Sequence, residues 1–139
     1  MTLITLALIA HVLIGLVGVA ASFLLVVGLL RKDPPIRFLT SVSLAAFLSY
    51  MLSWLSGGYY YVVHYGKEVK PLIKEGAYPW AHAFFTEVKE HVFLFLPFLS
   101  LVLFVVLLME GKRVTEDKNI KRIVMLLSLL IFIIGIYIT

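Results

Sequence analysis

Four long apolar stretches alternate with three short polar ones along the chain. The first apolar run covers residues 2–30 without a charge, and the others cover about 38–63, 91–109 and 123–138. A helix needs about 20 apolar residues to cross a hydrocarbon core roughly 30 Å thick. The first three runs meet that length, and the fourth reaches it with the help of residues 119–122. Backbone groups in lipid must be hydrogen-bonded internally, so each run is expected to be a helix. The pattern predicts an all-α fold, a four-transmembrane-helix bundle. It is expected to form one domain over 1–139, with helices at about 2–30, 36–64, 81–110 and 119–139.

The polar breaks carry helix-stopping residues. Arg31-Lys32-Asp33-Pro34-Pro35 ends the first helix with two prolines, and residues 111–119 form a short charged connection. Residues 65–80 contain Gly66, Pro71, Gly76 and Pro79, and read as a longer connection. Its Val69, Leu72 and Ile73 predict a segment lying on the membrane surface. The small-residue stretch Gly18-Val19-Ala20-Ala21-Ser22 resembles a leader-cleavage site. No basic region precedes it and the apolar run continues to Leu30, so the first segment reads as a spanning helix.

Composition agrees with the pattern. Hydrophobic residues make up 62% of the 139 residues and charged ones 14%, with a mean hydropathy of +1.04. Soluble domains run to about 45–50% and 25%. So small a body cannot bury the excess, which leaves lipid to cover it.

Charge sets an expected orientation. Arg31, Lys32, Arg37, Lys112, Arg113, Lys118, Lys121 and Arg122 fall in the first and third connections, and Lys67, Lys70 and Lys74 in the middle one. The positive-inside rule places the first and third connections in the cytoplasm and both termini outside. The expected location is a prokaryotic inner membrane. Tyr59, Tyr60, Tyr61, Tyr65, Tyr78 and Trp80 are expected to form the outer aromatic belt. The basic pI reflects these membrane-flanking residues, and no nucleic-acid motif is present.

The absence of cysteine excludes disulfides, thiolate metal sites and covalently attached c-type haem. There is no glycine-rich phosphate loop and no hydrolase elbow. The remaining candidates are the four histidines, because ionisable residues within a membrane mark possible sites. His11 lies 20 residues before Arg31, and His91 lies 19 before Glu110. Regular helices would put both about 30 Å from the cytoplasmic face. Gly57-Gly58 on the second helix arrives at the same level. Glycine there either admits a flat macrocycle or permits tight helix packing.

Two level histidines from different helices suit the axial ligation of a b-type haem, or else hydrogen-bond across helices as structural contacts. His64 and His82 lie further out, where they either ligate a second haem or metal ion or face water. In Glu87-Val88-Lys89-Glu90-His91, Glu87 and His91 share a helix face, which suits chelation of iron, zinc or copper. Alternatively, Glu87 and Glu90 orient His91, line a quinone pocket or sit solvated at the interface. Pro97 is expected to kink the third helix, and Tyr50 and Trp54 to pack as aromatics.

In helix number, size and the placement of His11, His64, His82, His91 and Gly57-Gly58, the chain resembles the four-helix membrane cytochromes of b type. That resemblance implies haem held between helices by paired histidines. It also implies electron transfer with quinones or with other membrane or extracytoplasmic subunits of a respiratory assembly. Two other functions stay open. One is a metal-binding membrane protein using His11, His64, His82, Glu87, Glu90 and His91. The other is a non-catalytic accessory subunit whose histidines tie helices together.

Overall fold

In a computed structural model describing residues 2–138, with the side chain of Glu90 outside that description, the chain is all-helical. Helix α1 spans Leu3–Leu30 and α2 spans Ile36–Tyr60. A π-helical segment, Tyr61–Val69, and a short α3, Lys70–Glu75, continue α2. After a turn, a second π-helical segment, His82–Glu87, leads into α4, Val88–Glu116, and α5 spans Lys118–Ile138. Among the described residues, four helices are long and apolar enough to cross a membrane. α2 packs on α1 and α4, and α5 on α4 and α1, so the four close into a ring.

Two of the three breaks fall where the sequence put them. Pro34 and Pro35 end the first connection, with Pro35 in the capping position of α2. At the other, a single extended residue, Asp117, separates α4 from α5. Its carboxylate accepts from the backbone N–H groups of Asn119 (2.7 Å) and Ile120 (3.4 Å), which starts the new helix. The middle connection differs from expectation. Residues 65–80 are mostly helix, and the chain breaks only around Gly76–Pro79. Pro71 is the second residue of α3, directly after the π-helical segment, and the helix continues through it to Glu75.

The inward face combines small residues with leucines, isoleucines and one tyrosine. The buried positions Gly15, Gly18, Ser22, Leu25 and Leu29 of α1 are spaced alternately three and four apart. Leu39, Ser43, Ala46, Tyr50 and Ser53 of α2 and Val124, Ser128, Ile131, Gly135 and Ile138 of α5 keep the same rhythm. This 3.5-residue repeat is the seam of an antiparallel, left-handed bundle. Large apolar side chains such as Leu13, Val17, Phe98 and Ile133 point outward instead. Both faces are apolar, and the inward one is the richer in glycine, alanine and serine. Leucine gains little by leaving hydrocarbon, and helices associate through close backbone approach.

Tyr50 is the centre of that seam. It is 1% exposed, and its hydroxyl lies 2.9 Å from Ser22 Oγ. A Cβ added at Gly18 would come within 2.7 Å of the Tyr50 ring, and one at Gly135 within 2.5 Å of its hydroxyl. The ring therefore occupies volume that side chains on α1 and α5 would otherwise take. Buried hydroxyls are satisfied locally, as where Ser100 donates to the Leu96 carbonyl (2.8 Å) and Ser128 to the Val124 carbonyl (2.8 Å).

Candidate functional site

The ring of helices has a basic end, holding the first connection and the α4–α5 junction, and an aromatic end, holding both termini and the α2–α4 hairpin. All four histidines belong to the aromatic half.

His11 is bound into the α1–α2 seam. Its Nδ1–H donates to the Ser53 carbonyl (2.8 Å), while Ser53 Oγ–H donates to the His11 carbonyl (2.9 Å) and lies 3.0 Å from Nδ1. A Cβ at Gly57 would stand 2.6 Å from His11 Nδ1, whereas one at Gly58 would meet nothing within 4 Å. Gly57 thus makes room for the imidazole itself. On the other side, the ring meets Phe93 edge-on at 5.9 Å. The cavity left among His11, Val12, Gly15, Ser53, Phe93 and Ile138 is about 10 Å³, scarcely one water.

His91 is at the expected height but on the wrong side of its helix. Phe93 follows it by two positions, so the two side chains point about 200° apart around α4. His91 is exposed, and its Nδ1–H donates to the Glu87 carbonyl one turn back (2.6 Å). Counting along the helices gave the level correctly, but the azimuth separates the pair. A haem would have to lie between His11 and His91, and that space belongs to Phe93 and α4 itself. His11 and His91 are therefore not placed to ligate one haem between them.

His82 is the buried one. It is 0% exposed, and its Nδ1 lies 3.0 Å from the Tyr65 hydroxyl, which lies 2.9 Å from Thr86 Oγ1. Its Nε2 is 3.3 Å from Glu87 Oε1 but is not aligned for a hydrogen bond. Tyr65 stacks on Tyr61 at 5.3 Å, and Lys70 Nζ donates to the Tyr61 hydroxyl (3.4 Å). Tyr65 belongs to one π-helical segment, and His82, Thr86 and Glu87 to the other. A π turn carries one residue more than an α turn, which re-aims the side chains that follow, and such turns collect at functional sites.

His64 turns to its own helix, with Nδ1 3.1 Å from Glu68 Oε2 and its ring 5.6 Å from that of Tyr60. The proposed chelate of Glu87 with His91 does not form in this packing. The Glu87 carboxylate faces His82, and His91 takes the Glu87 backbone. The Glu90 side chain, expected beside His91, lies outside the described residues. Among the described residues, no three His, Asp or Glu side chains gather as a metal-binding group.

Sequence reasoning missed Ser53, Tyr65 and Thr86 as partners of the histidines. Ser53 had a legible signal, since it lies three residues after Tyr50 on the seam of α2. Tyr65 and Thr86 had none, because π-helical geometry has no hydrophobic period of its own. Compared with protein-family models, curated proteins and solved structures, the chain matches none.

Proposed function

We propose that this chain is a non-catalytic membrane subunit, a four-helix bundle whose histidines fasten helices and which carries the α2–α4 hairpin at its extracytoplasmic end. One observation carries the reading: His11 and Ser53 spend their polar groups on each other across the α1–α2 seam, and Gly57 is shaped to admit that contact. A polar group in hydrocarbon must find a partner, and interhelical bonds of this kind are a common solution. The eight cations in and beside the first connection and the α4–α5 break favour a cytoplasmic basic end with both termini outside.

The hairpin supports a role in assembly. From Gly57, level with His11, α2 and its continuation run 18 further residues to Glu75, while α1 begins only eight residues from His11. At about 1.5 Å per residue the hairpin outreaches α1 by roughly 15 Å. It presents Leu72, Tyr78, Trp80, Phe84 and Phe85 exposed, a composition suited to a membrane belt or to a partner subunit.

A reduced-minus-oxidised absorbance spectrum and a metal analysis of protein purified from its native membrane test this reading. The expected result is no haem band and no stoichiometric metal. A low-spin haem band lost in both His11→Ala and His91→Ala would overturn it.

A second reading rests on His82. A fully buried imidazole with an unaligned Nε2 beside a carboxylate supports a metal ion or a proton relay between the two π segments. Stoichiometric metal that disappears in both His82→Ala and Glu87→Gln would favour it.

A further inference from the structure

At the basic end, the last turn of α1 and the first turns of α5 leave an open groove of about 320 Å³ between them. Its floor is apolar, made by Leu29, Leu30 and Met125, and its rim is Lys118, Lys121 and Arg122. Lys121 reaches across the groove, donating from Nζ to the Arg31 carbonyl (2.7 Å), and so ties the two helices. Lys118 and Arg122 are exposed, and no acidic side chain lines the groove. Of the nearby acids, Asp117 caps α5 and Glu116 lies 3.8 Å from Lys112 Nζ, while Asp33 of the first connection does not line the groove.

We infer that this groove binds the headgroup of an anionic phospholipid. The chemistry of the two layers differs in the way such a lipid requires. Cations at the rim match a phosphodiester, and the apolar floor lies on the side of the hydrocarbon, where acyl chains begin. Basic pockets between membrane helices on the cytoplasmic side recognise acidic headgroups by this division. A free anion would gain from the rim but not from the floor, since Leu30 and Met125 offer it nothing. The exposed end of Leu30 continues down the lipid-facing side of α1 through Val27 and Leu24, a path for a chain. The site lies about a membrane thickness from the histidines and does not depend on how those are read.

The test is thermal unfolding of the full chain in detergent, titrated with phosphatidylglycerol, with phosphatidylcholine and with inorganic phosphate. The variants are K118Q/R122Q and, as a control at the opposite end, K67Q/K74Q. Lys121 is left intact because it ties α1 to α5. Phosphatidylglycerol is expected to raise the midpoint of the wild type and of K67Q/K74Q. In K118Q/R122Q its apparent affinity should fall roughly tenfold, at unchanged helix content by circular dichroism. Phosphatidylcholine is expected to do little, and 0.5 M salt to weaken the effect. An equal response from K118Q/R122Q, or an equal response to phosphatidylcholine, overturns the inference. Loss in K67Q/K74Q as well would reduce it to overall charge. A matching shift from inorganic phosphate alone would make the groove a free-anion site and overturn the lipid assignment.

Discussion

The middle of the bundle and its aromatic end place the same kinds of side chain in different backbones. Around Tyr50 and His11 the helices are regular and small residues repeat every three or four positions. The polar groups of Ser22, Tyr50, His11 and Ser53 meet one another there. Around His82 the backbone is π-helical on both sides, and one ring nitrogen stays without an aligned partner. A regular seam lets polar groups be matched by periodicity alone. An irregular one displaces side chains from that register and leaves a buried group for something else to satisfy. The first arrangement reads as fastening, and any further chemistry belongs to the second.

The largest expected effects break the seam. Gly18→Leu drives a side chain into the Tyr50 ring and is expected to cost about 3 kcal/mol or more, measured by reversible unfolding in mixed micelles. The pair Gly57→Ala and Gly58→Ala sharpens the point, because the two glycines are adjacent in sequence but not in environment. The first pushes against His11 and is expected to destabilise by about 1–3 kcal/mol, the second by almost nothing. Equal effects would mean that Gly57 is not fitted to the imidazole.

Removing one polar contact costs less. Tyr50→Phe deletes the hydroxyl beside Ser22 and is expected to lose about 0.6 kcal/mol, the average for interhelical hydrogen bonds in membranes. At the aromatic end, Glu87→Gln leaves the seam untouched, so global stability is expected to change by less than about 0.5 kcal/mol. Its effect should appear only as faster amide exchange in the two π segments. A large global loss there would show that the two regions form one cooperative unit.

Much of this architecture was legible because lipid imposes length. Four apolar runs gave four helices, and Pro34-Pro35 and the charged stretch around Asp117 marked two of the breaks. Height along the helices was legible too: counting residues put His11 and Gly57 at one level, and they touch. Azimuth was neglected. A helical count from Phe93 through Leu96 to Ser100 traces the inward face of α4 and leaves His91 outside it. The seam was also written in the sequence, as Gly15, Gly18 and Ser22 against Ser43, Ala46 and Ser53. It hides from hydropathy because inner and outer faces are both apolar and differ in their share of glycine, alanine and serine. The π-helical hairpin was not legible. Gly66, Pro71 and Gly76 look like loop residues, and only Gly76 stands where the chain leaves the helix.

The most direct test of the fastening account is a double-mutant cycle on His11→Ala and Ser53→Ala, read by equilibrium unfolding in mixed micelles. If the two side chains hold α1 to α2 through each other, their effects are non-additive by about 0.5–1.5 kcal/mol. Strict additivity would contradict the account and return His11 to the search for a ligand.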